Sequence, residues 1–367
     1  MLNVGLIGLG KMGISHLAIV NAHPEVNLIG VCDTSSYIRG VLNKYTGVQV
    51  YSDYQALLDA KNLEAVFIAT PSRYHAQMVR AALDKNLNVF CEKPFCLDVA
   101  DGQQLAELAE RKGSVNQVGY HNRFVGSFKE AKRLIDANAL GRIHHVRAEA
   151  YGPVVLQPRG STWRASGKDG GGCLYDYACH AIDIVNFLLG RPQAVGGTVI
   201  NKIFSRDVDD EVYTTLYFAD GMTGQLAANW SDESFRRMST QVSVWGTNGR
   251  MVIDRQEVKT FIREGSGQSV RAGWNVRYTT DLPNDVWYYL RGEEYSAQID
   301  YFIQCVKEHR KENISSFASA VETDLVVSMM LQDAEKSRTA VDRNSTRQTS
   351  DPVASRGLLR KLKSALT

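Results

Sequence analysis

The chain has 367 residues, of which 44% are hydrophobic and 22% charged, and its 42 Lys and Arg nearly balance its 40 Asp and Glu. This composition excludes a collagen-like, low-complexity or wholly disordered chain, and a net charge of +2 gives no reason to expect a nucleic-acid partner. The length favours two domains. Residues 335–367 have a net charge of +5, so the basic excess lies in the tail and residues 1–334 have a net charge of −3.

The sequence gives no sign of export or of a membrane span. No stretch approaches the ~18 consecutive apolar residues that a spanning helix needs, and the N-terminus lacks the basic segment and cleavage site of a signal peptide. The six cysteines are scattered, without a CxxC pair. We therefore expect a cytoplasmic location without integral membrane association.

Short apolar runs alternate with helical patterns through the first 120 residues. The predicted strands are Val4–Ile7, Val26–Cys32, Val48–Tyr51, Ala65–Ala69, Asn88–Cys91 and Val115–Val118. The predicted helices are Met12–Asn21, Asp53–Asp59, Tyr74–Lys85 and Asp98–Arg111. This alternation is typical of βαβ units, which form a parallel sheet with helices on both faces.

The strict alternation of predicted strands and helices ends after residue 123. A helix at Phe128–Ala137 and a strand at Ile143–Tyr151 lead through a long loop to a second helix at Gly172–Leu189. Further strands are predicted at Gly196–Asn201, Glu211–Phe218, Thr223–Trp230, Thr240–Trp245 and Met251–Ile253, and further helices at Glu294–Lys307 and Ala318–Ala334. Asp-Gly and Asn-Gly pairs between strands indicate hairpins. We expect a second domain of α+β type with an antiparallel or mixed sheet.

A GxGxxG motif, Gly8 to Gly13, lies between the first strand and the first helix. Its first glycine permits a tight turn, its second lets a pyrophosphate approach the backbone, and its third lets helix and strand pack closely. Asp33 follows at the end of the second strand, where a carboxylate accepts hydrogen bonds from the ribose hydroxyls and repels a 2′-phosphate. The motif in this context predicts dinucleotide binding, with NAD favoured over NADP.

Two further segments follow strands of the predicted parallel sheet. Ala69-Thr70-Pro71-Ser72 follows the fourth strand, and Cys91-Glu92-Lys93-Pro94 follows the fifth. Ligands of open α/β sheets bind outside the carboxyl ends of the strands. Lys93 is therefore placed to meet both a nicotinamide and a substrate.

A third segment carries acid–base chemistry. Asp176, His180 and Asp183 are spaced i, i+4 and i+7, so on a regular helix they share one face. A histidine flanked by carboxylates is held in one orientation with its protonated form favoured, which suits a general base. A structural Asp–His pair is the alternative. The cysteines nearby fit no zinc pattern, so no metal is predicted.

The glycine motif with Asp33, the ATPS segment, the CEKP segment and the GGGxLxDxxxH segment occur in an order and spacing that resemble the Gfo/Idh/MocA family of oxidoreductases. That family includes glucose–fructose oxidoreductase, inositol dehydrogenases and nucleotide-sugar 3-dehydrogenases. The resemblance covers about residues 2–345. It implies an α/β fold with a Rossmann domain at 1–122, and at 123–345 a substrate-binding and oligomerisation domain with a large open, mainly antiparallel sheet.

The resemblance also assigns roles. It implies that Lys93 contacts the nicotinamide region and the reacting oxygen, that His180 is the acid/base, and that Asp176 tunes His180 or binds the sugar. The cofactor-binding residues expected are Gly8, Gly10, Lys11, Met12, Gly13, Asp33, Thr70, Pro71, Ser72, His75, Glu92 and Lys93.

A loop before the DxxxH segment places an aromatic ring beside cations. Trp163, Arg164 and Lys168 make a plausible wall for a polar sugar or its phosphate, and an exposed basic loop is the alternative. Tyr120 and Arg123 close the last strand of the predicted parallel sheet and are expected to face the same cleft. With Asp176 and His180 these are the predicted substrate-binding residues. Arg159, Arg164 and Lys168 favour a substrate that bears a phosphate or carboxylate.

The expected activity is hydride transfer between a secondary hydroxyl of a sugar, cyclitol or nucleotide sugar and NAD. NADPH-dependent reduction of a keto-sugar, oxidation of a simple diol, and a non-catalytic dinucleotide-binding sensor remain as alternatives. We expect a homodimer or homotetramer. Residues 346–367 form a basic extension with a leucine stripe, which is either a mobile or subunit-packing appendage or a contact for an acidic membrane surface or a partner.

Overall fold

We describe a computed structural model of the chain, covering residues 1–154, 163–265, 271–283 and 285–349, with side chains to residue 336. The strands of this part are β1 Leu2–Ile7, β2 Val26–Cys32, β3 Val50–Tyr51, β4 Ala65–Ile68, β5 Asn88–Cys91, β6 Asn116–Val118, β7 Ile143–Tyr151, β8 Ala194–Asn201, β9 Glu211–Tyr217, β10 Thr223–Asn229, β11 Ser239–Gly246, β12 Gly249–Ile253, β13 Glu257–Ile262 and β14 Gly273–Tyr278. The helices are α1 Lys11–Asn21, α2 Ser36–Tyr45, α3 Tyr54–Leu58, α4 His75–Asp84, α5 Val99–Lys112, α6 Gly126–Asp136, α7 Cys179–Leu189, α8 Glu293–Lys307 and α9 Phe317–Thr349.

The first sheet is parallel throughout, in the order β3-β2-β1-β4-β5-β6. This is the doubly wound order of dinucleotide-binding folds, in which the strand order reverses between β1 and β4 and a crevice opens at the strands' carboxyl ends. All four residues of β4 are buried, as expected for a strand covered by helices on both faces. The predicted parallel sheet is confirmed.

The second sheet has eight strands in the order β14-β13-β12-β11-β7-β10-β9-β8. Every pair is antiparallel except β7 with β10, so the prediction of a large, mainly antiparallel sheet is confirmed. Alternate residues of β9 and β10 are buried, because one face of the sheet packs on the core with α7 and α9.

Three elements were absent from the sequence prediction: α2, β13 and β14. Helix α2 has no fully buried residue, and only Ile38 and Leu42 pack partly against the core. Strand β14 is mostly exposed at the edge of the sheet, and β13 alternates buried and partly exposed residues after a tight turn. These elements depend on pairing with distant strands more than on local pattern.

The chain returns to the first sheet near its end. Helix α8 packs Ile299, Phe302 and Ile303 into the same core as β1 and β4, with the Phe302 ring 5.4 Å from that of Phe67. The start of α9 packs against α5, and its continuation against β8. The packing of the first sheet therefore includes residues from both predicted segments, and the boundary at 122/123 stays a prediction.

The sequence also led to predictions about membrane spans, cysteines and the C-terminus. Within the described ranges, no helix is long and apolar enough to span a membrane. All six cysteines are buried free thiols. The C-terminal extension lies outside the described residues from 350 onward.

A buried ion pair joins the two halves of the structure. Arg123, just after β6, donates to the Asp183 carboxylate of α7 through Nε (2.9 Å) and Nη2 (2.5 Å), and both side chains are almost fully buried. The same guanidinium also donates to the carbonyl of Ile314 and to the hydroxyl of Ser319 at 3.1 Å. Arg123 therefore fixes α7 and the entry to α9 against the end of the first sheet.

We expect Arg123→Ala to lower the free energy of unfolding by about 3–5 kcal/mol, because it leaves the Asp183 carboxylate buried without its partner. Urea denaturation checks this. The control is Arg133→Ala, whose half-exposed pair with Glu130 is expected to contribute under about 1 kcal/mol. Equal, small losses in both variants would contradict the structural role of Arg123.

Candidate active site

A cavity of about 950 Å³ opens where the carboxyl ends of β5 and β6 meet the second sheet. It contains seven of the residues predicted from the sequence: Lys11, Met12, Glu92, Lys93, Arg164, Asp176 and His180. It also contains residues that sequence reasoning did not select, including His121, Phe235, Arg236, Arg237, Arg255, Arg291 and Tyr295. The size is in the range of small-molecule sites.

Each glycine of the motif at the start of α1 has different steric surroundings. Gly8 has φ 92°, and a Cβ there would lie 2.7 Å from the carbonyl oxygen of Ala69. A Cβ on Gly13 would lie 1.8 Å from the carbonyl oxygen of Gly8, whereas one on Gly10 would meet nothing within 4 Å. The open space lies at the N-cap of α1, so this loop fits a dinucleotide pyrophosphate.

Asp33 is held in place at the end of β2. Its carboxylate accepts from the backbone N–H groups of Leu9 and Ser35, each at 2.7 Å, and each oxygen keeps a lone pair for a ribose hydroxyl. The Arg39 guanidinium donates to the carbonyl oxygens of Asp33 (2.9 Å) and Thr34 (2.7 Å). Arg39 is thus engaged with the backbone, and Asp33 fits a nucleotide that lacks a 2′-phosphate.

The residues after β4 support the site from outside the cavity. His75 is fully buried, with Nδ1 2.8 Å from the carbonyl oxygen of Pro94 and Nε2 3.0 Å from that of Thr70. Burial lowers its pKa. Neither His75 nor Thr70, Pro71 or Ser72 lines the cavity. His75 therefore connects the segment that follows β4 to the segment that follows β5.

His16 and Glu92 form a contact that the sequence did not reveal. His16, on the buried face of α1, has Nε2 2.5 Å from Oε1 of Glu92. Glu92 also accepts from the backbone N–H of Lys93 at 3.3 Å. Burial would raise the pKa of Glu92, but His16 and Lys93 outweigh it and hold that pKa below its usual range. Glu92 thereby ties the glycine-motif helix to the segment that carries Lys93.

Lys93 and Arg164 meet on one carboxylate. Lys93 Nζ lies 2.9 Å from Oδ1 and 3.1 Å from the backbone oxygen of Asp176, and Arg164 Nε donates to Oδ2 at 2.8 Å. Burial alone would raise the pKa of Asp176, but the two cations lower it to about 2. The same carboxylate outweighs burial at Lys93 and raises the pKa of its ammonium. Asp176 is therefore a fixed anion and Lys93 a fixed cation.

His180 is not flanked by carboxylates, which differs from the prediction. Leu174–Ala178 form a π-helical turn before α7, and because such a turn is wider than an α-helix, Asp176 and His180 do not stack. Asp183 pairs instead with Arg123. Burial, with Lys93 and Arg255 nearby, lowers the pKa of His180 well below 6.5. The imidazole is therefore neutral at pH 7, and the expectation of a favoured protonated form is wrong.

A series of ring contacts runs from His180 through His121 to Tyr295 of α8. The His180 ring makes an edge contact with His121 at 5.0 Å between centroids, and His121 stacks on Tyr295 at 4.6 Å. His180 Nδ1 is buried without a hydrogen-bond partner among the described residues. Burial also lowers the pKa of His121 well below its usual value. Two neutral imidazoles thus lie side by side at the cavity.

Four predicted substrate residues do not line the cavity. Tyr120 is fully buried and lies edge-on to His180, with ring centroids 6.2 Å apart, and Arg123 is held in its buried ion pair. Trp163 is half-buried with the Arg164 guanidinium 5.1 Å from its ring, and Lys168 is exposed. Arg159 lies outside the described residues. Of the predicted loop, Arg164 alone among described residues reaches the cavity.

In the described part of the chain, no group of three or more His, Cys, Asp or Glu side chains is arranged to hold a metal ion.

Comparison with known proteins identifies both parts of the chain. Residues 2–120 match the model of an oxidoreductase family with an NAD-binding Rossmann fold, GFO_IDH_MocA, and residues 128–252 match the GFO/IDH/MocA C-terminal domain. The scyllo-inositol 2-dehydrogenase (NAD⁺) of Bacillus subtilis is 24% identical over 87% of this chain and 90% of its own. The levoglucosan dehydrogenase of Pseudarthrobacter phenanthrenivorans is 27% identical over 76% of this chain and 80% of its own.

Solved structures agree on the fold. A levoglucosan dehydrogenase in complex with NADH and levoglucosan superposes with a TM-score of 0.80, covering 91% of this chain and 97% of that one at 24% identity.

Two glycine variants separate cofactor binding from folding. We expect Gly10→Ala to fold as stably as the parent but to bind NADH at least about tenfold more weakly, because its methyl group occupies the open space at the N-cap of α1. Gly13→Ala, by contrast, places a Cβ against the Gly8 carbonyl and is expected to lower thermal stability. NADH fluorescence titration and thermal unfolding measure both. Unchanged NADH affinity in Gly10→Ala would refute this placement of the pyrophosphate.

Proposed function

The chain belongs to the Gfo/Idh/MocA family of oxidoreductases and has that family's NAD-binding Rossmann domain, and on this basis we propose that it oxidises a secondary hydroxyl of a sugar, cyclitol or nucleotide sugar. The observation that carries the proposal is the juxtaposition of Lys93, Asp176 and His180 at one cavity beside the glycine motif. Bound NAD supplies the hydride acceptor. The residues of the chain then have to bind the alcohol, hold it and accept its proton.

His180 accepts the hydroxyl proton. A base must be unprotonated before it acts, and burial together with the nearby Lys93 and Arg255 cations keeps this imidazole neutral. In the reverse direction the protonated ring returns the proton to a ketone, so its low pKa favours that release. A neutral histidine in a closed, cationic site is suited to this exchange.

Lys93 stabilises the negative charge that develops on the substrate oxygen. Its ammonium is held at one position by two oxygens of Asp176, and its side chain is only 12% exposed. A preorganised cation in a water-poor site lowers the energy of an alkoxide-like transition state without reorganising. Asp176 and Arg164 act as positioning groups for that cation.

Two alternatives from the sequence analysis can be compared with this proposal. A keto-sugar reductase would run the reaction in reverse, with His180 as acid and Lys93 on the carbonyl oxygen. A non-catalytic sensor would need the cofactor site but not the Lys93–Asp176 contact, and the presence of that contact favours the enzyme. Homo-oligomerisation and a cytoplasmic location complete the proposal.

We expect Lys93→Ala and His180→Ala each to lower turnover by about a hundredfold or more while NADH still binds, because each removes a group that acts on the reacting oxygen. Steady-state NADH formation and NADH fluorescence titration measure the two effects. Matched controls are Lys61→Ala and His144→Ala, which remove exposed residues outside the cavity. Near-parental turnover in both cavity variants would refute the assignment.

The position of Asp33 predicts cofactor choice. We expect NADH to bind at least about tenfold more tightly than NADPH, because the Asp33 carboxylate repels a 2′-phosphate. Asp33→Asn should narrow this difference by weakening NADH and relieving the repulsion of NADPH. Parallel fluorescence titrations test it, and equal affinities in the parent protein would contradict the role given to Asp33.

A further inference from the structure

The cavity carries far more positive than negative charge. Seven of its described lining residues are Lys or Arg, and three are Asp or Glu. Lys93 and Arg164 are balanced by Asp176, and Lys11 belongs to the glycine motif. Of the remaining four arginines, Arg255 helps to keep His180 neutral and the other three have no role in the mechanism above. We call all four the arginine group: Arg236, Arg237, Arg255 and Arg291.

The arginine group converges on the cavity from three separate connections. Arg236 and Arg237 lie between β10 and β11, Arg255 lies in the turn between β12 and β13, and Arg291 precedes α8. None of these connections belongs to the glycine motif, which follows β1. Arg255 lies near His180, and Arg291 and Arg237 lie near Arg255, so the group adjoins the residue proposed to accept the hydroxyl proton.

Little in the described structure neutralises these cations. Arg255 pairs with the Glu294 carboxylate, and no other member forms an ion pair with a described residue. The nearby Asp254 carboxylate accepts instead from the backbone N–H groups of Gln256 (2.7 Å) and Glu257 (3.0 Å). Burial lowers the pKa of Arg255, and the guanidinium groups of Arg291 and Arg237 lower it further. Three members of the group thus have no ion pair with a described residue, and cations of this kind at a cavity wall attract an anion.

The backbone is shaped to place Arg291 there. Arg291 has φ 66°, which is rare for a residue with a side chain, and Gly292 follows with φ 134°. A Cβ on Gly292 would lie 2.3 Å from the Glu294 carboxylate, so glycine lets Glu294 fold back toward Arg255. The Arg291 guanidinium lies 5.3 Å from the Tyr295 ring, which leads through His121 to His180.

We propose that Arg255 and Arg291, with Arg236 and Arg237 at the rim, form an anion subsite for the substrate, so that the preferred alcohol carries a carboxylate or phosphate group. The inference rests on the proposed function, which it refines to an acidic sugar or cyclitol. It also replaces the predicted anion contacts, since Arg164 is committed to Asp176 and Lys168 lies outside the cavity. A guanidinium pair matches the oxygens of either group.

The test compares neutral sugars with their anionic derivatives, and the uronate with the uronamide, which has nearly the same shape but no charge. Glucose, galactose and mannose are each assayed with their uronate, uronamide and 6-phosphate, and NADH formation gives kcat/KM. Quenching of NADH fluorescence in the enzyme–NADH complex gives binding of the same compounds without turnover. We expect a uronate or a 6-phosphate to exceed its neutral partner by about tenfold or more, in kcat/KM or in affinity, and to lose that advantage at high salt. Comparison of the uronates with the 6-phosphates shows whether the subsite prefers a carboxylate or a phosphate.

Single-arginine variants test which residues bind the anionic group of the substrate. Arg291→Gln, at an exposed position, is expected to raise KM for the anionic member about tenfold, with little change in kcat or in the neutral member's KM. Arg255→Gln should also raise that KM, but because Arg255 lies near His180 we expect its kcat to change for charged and neutral members alike. The control is Arg250→Gln, an exposed arginine on β12 outside the cavity.

Three results would overturn the inference: no preference for the anionic members in either assay, equal losses for charged and neutral members in Arg291→Gln, or weaker NADH binding in that variant. The last would assign the arginine group to the cofactor. Failure of the proposed function is distinct, because it would appear as no NADH formation from these compounds or from inositol and UDP-glucose assayed beside them, whatever their binding shows.

Discussion

The ionised carboxylate of Asp176, held between Lys93 and Arg164, is the interaction on which the rest of the site depends. The three charges come from three separate places in the chain: the segment after β5, a loop before α7, and the π-helical turn. A carboxylate buried this deeply would be unstable without both cations, and each cation would repel the other without the carboxylate. The contact therefore joins the two sheets and fixes a positive charge where an alcohol can lose its proton.

The electrostatics of His180 follow from the same arrangement. Because Asp176 is committed to Lys93 and Arg164, and Asp183 to Arg123, neither of the two carboxylates predicted to flank His180 is left to stabilise an imidazolium. Burial and the surrounding cations then keep the ring neutral. The excess of arginine at the far wall extends the same positive field over the substrate space.

Much of this could be predicted from the sequence, for reasons that differ along the chain. The parallel sheet and the glycine motif could be predicted because each is a local pattern in the sequence. Lys93, Asp176 and His180 could be selected because motifs at strand ends and helix starts converge in α/β folds. Their partners could not, because the π-helical turn redirects Asp176 and is not visible in the spacing. The same holds for residues whose contacts are distant in sequence: Arg123, His16, Arg255 and Arg291. The identity of a polar residue does not by itself indicate which residue it contacts. The consecutive Arg236-Arg237 pair was the one visible signal for the cationic wall.

The central claim is that a neutral His180 beside a fixed Lys93 cation accepts the proton, and NMR tests it directly. In protein labelled with ¹⁵N-histidine and saturated with NADH, the ring signals of His180, assigned by their loss in His180→Gln, are followed as the pH is lowered from 8. The account predicts a neutral ring at pH 7, with protonation only well below the ordinary histidine pKa of about 6.5. Signals of an imidazolium at pH 7 would contradict it.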